Sequence, residues 1–384
     1  MPNFGRLACA TLVTVAVSGA ARAGTIKTLY NLDATSGTGN FGLFAVDSAG
    51  TMYGTENIGG TASYGTVFKL NPGSKSLTVL YNFTGGADGA GPASGLALGP
   101  DDVAYGVTSE GGTKGAGTVF KIKLRTGKET TLHQFTGLPD TGHPRIAPIL
   151  GPDGKLYGVT SGGGPDGLGE IYRVDPATHD ESAVFTFNGT NGSDPGGITF
   201  GPDGLLYGTA TQGGPVGYGL LFQVDPSTGQ ETILYNFAES GPNAPQANVV
   251  FDSAGVLYGQ ALTGGGGQTV IYRFDPTTAA FTSLDTLTYG PANTPTGTIL
   301  LGTDDNLYGT VFSFDTHEGI VYQVNASTGA EKDVYTFNGR KNGGRPYGIT
   351  FGKNNLLYGA TMVGGSTRLN NHHPGTGTIY SLVP

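Results

Sequence analysis

An apolar residue or alanine followed by Tyr-Gly returns seven times along the chain, at Tyr53, Tyr105, Tyr157, Tyr207, Tyr258, Tyr308 and Tyr358. The intervals are 52, 52, 50, 51, 50 and 50 residues. A second phrase keeps step with the first: GTVFKL at 65–70, GTVFKI at 117–122, GEIYRV at 169–174, GLLFQV at 219–224, TVIYRF at 269–274, GIVYQV at 319–324 and GTIYSL at 377–382. Self-similarity at a fixed period of this length means that one supersecondary unit is copied, so the fold must be an assembly of seven near-equivalent units. Between the phrases lie turns such as Gly-Pro-Asp-Gly (151–154, 201–204) and Asp-Pro-x-Thr (175–178, 225–228, 275–278), which supply the positive and preset φ values of tight β connections.

The segments between turns are short and rich in Val, Ile, Leu, Tyr, Phe and Thr, so each unit reads as four strands. In the fourth unit these are an inner strand at 198–200, then 206–210, 220–224 and an outer strand at 232–237. Four strands per ~50 residues, seven times over, predicts an all-β, seven-bladed β-propeller spanning 24–384 as one domain. The strand count also predicts how the ring closes. The chain opens on a lone outer-type strand at 25–32, and its last unit stops after the third strand at Leu382, so the first strand is expected to complete the last blade. Closure would remove an edge open to intermolecular pairing. A parallel β-helix with two coils per repeat shares the period, but it does not account for a missing last strand balanced by an extra first one.

Composition agrees with this reading. Gly (69) and Pro (22) make up about a quarter of the 384 residues, against ~12% in average usage, which disfavours long helices. A formal charge of -9 argues against nucleic acid as a partner, because phosphate binding rests on clustered Lys and Arg. Residues 1–23 read as a secretory signal peptide: Arg6, an apolar run at 7–17, and Ala21-Arg22-Ala23 before Gly24. The chain is thus expected to be secreted, periplasmic or extracellular, without a transmembrane segment, and monomeric. The single cysteine, Cys9, lies within that segment, leaving a mature chain without disulfides in an oxidising compartment. Its stability must come from a large core.

Most of the repeated residues belong to the scaffold. The Tyr of each Tyr-Gly pair is expected to fill the wedge between blades while Gly lets backbones approach. The aromatic at the fourth position of the second phrase (Phe68, Phe120, Tyr172, Phe222, Tyr272, Tyr322, Tyr380) is expected in the core. Asp101, Asp153 and Asp203 fall in hairpin turns, and no run carries the several oxygen ligands of a calcium loop. The Gly-Gly doublets do not follow a strand and open a helix, so they are not phosphate cradles. His-Glu-x-x-His, Gly-x-Ser-x-Gly and Cys-x-x-Cys are all absent.

Written out, the repeat resembles the GloVer repeat, the Gloeo/Verruco-type tandem repeat of secreted bacterial proteins, with the strongest matches at 156–160, 117–121 and 79–83. That resemblance implies an exported β-rich array and no particular reaction. A looser similarity runs to kelch propellers, through the Gly-Gly doublets and Ile271-Tyr272-Arg273-Phe274-Asp275-Pro276, although the Trp expected there is absent. The kelch-bladed copper-radical oxidases need a Cys-Tyr crosslink that a mature chain without Cys cannot form. Streptogramin-lyase-like propellers are also similar in blade number, and that resemblance implies a His/Glu site with a divalent metal at the central opening.

In a repeat protein, function is best sought where one copy departs from the others. From the Tyr of the second strand to the start of the third, the distance is 12 residues in the first four units, 11 in the next two and 19 in the last. The inserted stretch, 366–375, carries Arg368, Asn370, Asn371, His372 and His373. The sixth unit replaces its Gly-Gly loop with Phe312-Ser313-Phe314-Asp315-Thr316-His317-Glu318, and the connection into the seventh inner strand holds Arg340, Lys341, Arg345 and Tyr347. This predicts a ligand site on blades 6 and 7, with Phe314 and Tyr347 as apolar platforms and Asp315, His317, Arg345 and His372 as polar contacts. No cofactor is expected from motifs. A divalent metal held by His317, Glu318, His372 and His373 is the alternative, if two blades converge. A smaller group, Asp140, His143 and Arg145, reads as a salt-bridged turn. The leading expectation is a binding module for an extracellular glycan, polymer or protein, with a lyase or hydrolase acting through blades 6 and 7 as the runner-up.

Overall fold

The computed structural model describes residues 24–33, 36, 38–41, 43–93, 95–137, 141–264, 267–287, 289, 294–313, 318–339, 342–365 and 376–384. The signal-peptide reading of 1–23 falls outside them. Seven antiparallel sheets follow one another in chain order, each with its strands hydrogen-bonded in sequence from the inner to the outer edge. The inner strand of each sheet touches its neighbours in the next, and that of the last sheet, Gly344–Phe351, reaches the first. The chain is a seven-bladed β-propeller. The one helical element described is a 3-10 turn, Lys353–Asn355.

Ring closure takes the expected form. The first strand, Ile26–Asn31, pairs antiparallel with the last, Thr378–Leu382, in the order Ile26↔Leu382, Thr28↔Tyr380 and Asn31↔Thr378. Gly24 N–H donates to Val334 O at 2.7 Å, and Thr376 Oγ1 donates to Leu32 O, so both ends of the join are held. This strand also carries the irregularity of its counterparts. In every blade the register between third and outer strands shifts by one residue, as between Leu221 and Phe222 or, here, between Thr28 and Tyr30. A bulge at that depth increases the local twist of each blade's outer edge.

Inner strands differ from their sequence reading. In the fourth blade the strand runs Ser193–Phe200 rather than 198–200, because a register shift between Pro195 and Gly197 absorbs two residues that look like strand breakers. In the first three blades the same irregularity divides the inner strand in two, as in Gly142–Pro144 and Ile149–Leu150.

The core lies between blades. Each third-strand aromatic is fully buried. It meets, edge to face, a Phe that ends the outer strand of the preceding blade: Phe83–Phe120 at 5.2 Å, Phe135–Tyr172 at 5.2 Å, Phe187–Phe222 at 5.4 Å and Phe237–Tyr272 at 5.5 Å between ring centres. Such pairs add roughly 0.5–1.5 kcal/mol beyond the area they bury. The Gly of each Tyr-Gly pair sits directly opposite this aromatic, as Gly208↔Phe222. A Cβ on Gly208 would come 2.6 Å from Phe222 Cζ, and one on Gly54 2.7 Å from Phe68 Cζ. The glycine is therefore required chiefly by a ring lying over it, a correction to the expectation that it serves backbone approach alone.

The Tyr of the pair packs on the inner strand of the next blade, as in Tyr207–Phe251 at 5.0 Å and Tyr157–Phe200 at 5.2 Å. Its hydroxyl donates to the Asp of its own hairpin turn: Tyr157 to Asp153 (2.9 Å), Tyr207 to Asp203 (2.8 Å), Tyr308 to Asp304 (2.7 Å), and Tyr53 and Tyr258 to Asp47 and Asp252 (3.1 Å each). The other carboxylate oxygen accepts a turn N–H, from Leu205 in the case of Asp203. Burial first, and then the adjacent carboxylate, push the Tyr53 and Tyr258 hydroxyls up to about 12.

Candidate functional site

The inner strands carry a second repeat that the Tyr-Gly register hides. A proline recurs at Pro92, Pro144, Pro195, Pro245, Pro295 and Pro346, once in each of blades 2 to 7. The residue before it has positive φ: Gly91 (57°), His143 (57°), Asp194 (52°), Ala244 (44°) and Arg345 (51°). A contact with the preceding blade fixes this conformation. The N–H groups of Gly91, His143, Asp194 and Ala244 donate to Tyr64 O (3.0 Å), Ala116 O (2.8 Å), Leu168 O (3.2 Å) and Tyr218 O (3.0 Å). The proline ring then covers the glycine that opens the preceding blade's third strand. A Cβ on Gly219 would meet Pro245 Cδ at 2.6 Å, and one on Gly169 would meet Pro195 Cδ at 2.8 Å.

This inter-blade contact determines where the next residue goes. The residues after the six prolines, Ala93, Arg145, Gly196, Gln246, Thr296 and Tyr347, all line one of two adjoining cavities around the centre of the ring. The larger, about 480 Å³, is bordered by Arg145, Asp194, Gln246, Thr296, Phe312 and Tyr347 among others. The smaller, about 380 Å³, has Asn57, Glu110, His143, Arg145 and Tyr347 in its wall. Arg145 of blade 3 and Tyr347 of blade 7 belong to both, so the two cavities form the mouth of one funnel. Deeper in the channel a third cavity, about 300 Å³, shares Leu43, Ile146, Val159 and Thr298 with the first and is walled by Leu98, Ile149 and Ile198. Polar groups are thus concentrated at the mouth and apolar ones below it.

Local contacts hold the polar groups in place. His143 Nδ1 lies 3.0 Å from Ser109 O, and Ser109 Oγ donates to Gly91 O at 3.0 Å. Gln246 Nε2 donates to Ala244 O at 2.8 Å, while Thr296 Oγ1 donates to Pro346 O at 2.9 Å. The Arg345 guanidinium carbon stands 5.9 Å from the centre of the Phe312 ring, within cation–π range. A guanidinium, an imidazole, two carboxylates, two amides and a tyrosine ring therefore surround one opening, with Arg345 beside it. That set can donate and accept hydrogen bonds in several directions while offering an aromatic face.

Of the residues singled out in the sequence, Tyr347 lines both cavities and Arg345 packs beside Phe312. Glu318 is half-buried, and its carbonyl accepts Ser313 N–H at 3.2 Å, closing the base of the blade 6 loop. Phe314, Asp315, His317, His372 and His373 lie outside the described residues, as do Arg340, Lys341 and Asp140. His143 and Arg145, read from sequence as part of an isolated salt-bridged turn, belong instead to the funnel wall. Sequence reasoning missed Gln246, Asp194 and Thr296. The signal that would have found them is the recurring proline, passed over as punctuation. Among the described residues no group of three His, Cys, Asp or Glu side chains is placed to share a metal ion, and no helix is long and apolar enough to cross a membrane.

The sequence profile of the Gloeobacter/Verrucomicrobia repeat matches residues 10–214 and 194–384. A search of curated proteins finds no match. Among solved structures, an oligogalacturonate lyase from Vibrio parahaemolyticus superposes with a TM-score of 0.61 at 12% identity, over 94% of this chain and 93% of the other. An oligogalacturonate lyase in complex with manganese gives 0.60 at 12% identity, over 94% and 96%. The extracellular domain assigned to a one-component system of B. thetaiotaomicron gives 0.60 at 12%, over 92% of this chain and 39% of that one. At these identities the likeness is one of fold.

Proposed function

Since this chain belongs to the Gloeobacter/Verrucomicrobia repeat family and folds as a seven-bladed propeller, we propose that it is an exported binding module. Its ligand is a glycan segment seated at the funnel mouth. The observation that carries this reading is the convergence of the six post-proline residues on one opening, with Arg145 and Tyr347 shared by both cavities. A sugar presents hydroxyls in several directions and an apolar C–H face. Carboxylates, amides and guanidinium groups suit the former, and the Tyr347 ring suits the latter in a chain without Trp. Export is supported by the leader-like composition of residues 1–23.

The test is calorimetric titration of the mature protein with a panel of neutral and uronic di- to hexasaccharides. The reading expects saturable binding that Tyr347→Ala weakens at least about tenfold. Binding unaffected by that substitution would overturn the site, and no binding across the panel would overturn the ligand class.

A second reading, a lyase or hydrolase working at the same opening, draws on one observation. Glu110 and His143 line the smaller cavity together with Arg145, and a carboxylate with an imidazole is a pair suited to general acid–base work. Incubation with polymeric substrates and an assay for new chain ends would support it if product formed and His143→Ala abolished it.

A further inference from the structure

We propose that His143, Asp194 and Arg345, the residues before the prolines of blades 3, 4 and 7, select which ligand the funnel takes; this rests on the binding reading above. Their backbones are held at φ of 57°, 52° and 51°. The left-handed region suits glycine and disfavours side chains with a Cβ, Asp and His being better tolerated there than Arg. The fold does not need a side chain at this position. Blade 2 places Gly91 there with the same φ of 57° and the same backbone hydrogen bond to the preceding blade, and blade 5 places Ala244. Imidazole, carboxylate and guanidinium groups are therefore carried at a conformational cost that glycine would remove.

What those side chains do have in common is location. His143 and Asp194 are in the walls of the two cavities, and Arg345 lies over Phe312, itself a wall residue of the larger one. Backbone held in a sparsely populated region by its surroundings, next to a cavity, is a feature of ligand-contacting positions. The neighbouring prolines carry the inter-blade packing, so these three positions are free to differ between copies without altering the ring. They divide the labour with the post-proline residues, which form the floor of the site.

The experiment compares His143→Gly, Asp194→Gly and Arg345→Gly with Ala244→Gly, a control that makes the same backbone change without removing a polar group. Thermal melts and titrations with the saccharide panel are recorded for each. The proposal expects all four to melt at or above the parent. The first three should change the order of preference across the panel or weaken the preferred ligand at least about tenfold, with Ala244→Gly binding as the parent does. Melting clearly below the parent in the first three would show that their side chains serve the fold, and an unchanged preference would show that they do not select; either result overturns the proposal. If the parent binds no member of the panel, the saccharide reading fails on its own, and the melts still decide here: loss of stability overturns the proposal, and its retention or gain keeps these side chains as non-structural.

Discussion

Tyr207 shows how one residue type can serve seven blades. Its ring packs on Phe251 of the next blade, and its hydroxyl reaches back to Asp203, which also caps the Leu205 N–H. Asp203→Ala would leave a largely buried hydroxyl and a turn N–H without their acceptor, at about 1–3 kcal/mol. Gly208→Ala would drive a Cβ into the Phe222 ring, at a similar 1–3 kcal/mol or so of overpacking. Both are expected to lower the urea midpoint with an unchanged slope, whereas Asp203→Asn should recover part of the loss. The Tyr-Gly pair was plain in the sequence, but the reason for its glycine was not, because the ring above it is set by cross-strand register rather than by spacing. The Asp four or six residues before each Tyr was equally visible and was read only as turn chemistry. The same holds at the funnel: Tyr347 and Arg345 stood out as departures from the repeat, while Gln246 and Thr296 acquire meaning only when six post-proline positions are brought together.

Strands were the most legible level, since short apolar segments between Gly, Pro and Asp turns fix their number even where their ends are uncertain. The first strand, Ile26–Asn31, was assigned to the last blade by counting, and it carries the same bulge as the six outer strands made within their own units. The inner strands were underestimated because Pro195 and Gly197 are absorbed in an irregular pairing that no local rule announces. Closure makes a direct prediction. Removing residues 24–32 would expose Thr378–Leu382 as an unpaired edge and uncover Phe68 and Ile379, which share a buried cluster with Leu29 and Leu32. The truncated protein should melt at lower temperature and self-associate in size-exclusion chromatography. A synthetic peptide of residues 24–32 should reverse both effects if closure is the cause.

At the scale of the whole molecule, several carboxyl groups are held in environments that favour their neutral form. Burial pushes Glu129 and Glu231, at the start of two outer strands, up to about 7, and full burial raises Glu56 well above the usual carboxyl range. An unfolded chain releases these protons near pH 4.5 while the folded one keeps them to about 7, so the native state binds more protons in that window and stability falls as pH rises through it. Turn aspartates such as Asp225 and Asp275, whose carboxyls are held below their usual range by hydrogen bonds from neighbouring side chains and backbone, act in the opposite sense under more acidic conditions. Maximum stability is thus expected on the acid side of neutrality. Melting temperatures between pH 4 and 8, with a Glu129→Gln, Glu231→Gln protein showing a flatter decline, check the assignment. The central claim concerns where seven nearly identical blades create something that is not repeated, and it is tested most directly by titrating a bound oligosaccharide against two variants. If the funnel mouth is the site, Arg145→Ala loses most of the affinity while a His317→Ala, His372→Ala double variant retains it; the reverse outcome would contradict the account and return the site to the loops of blades 6 and 7.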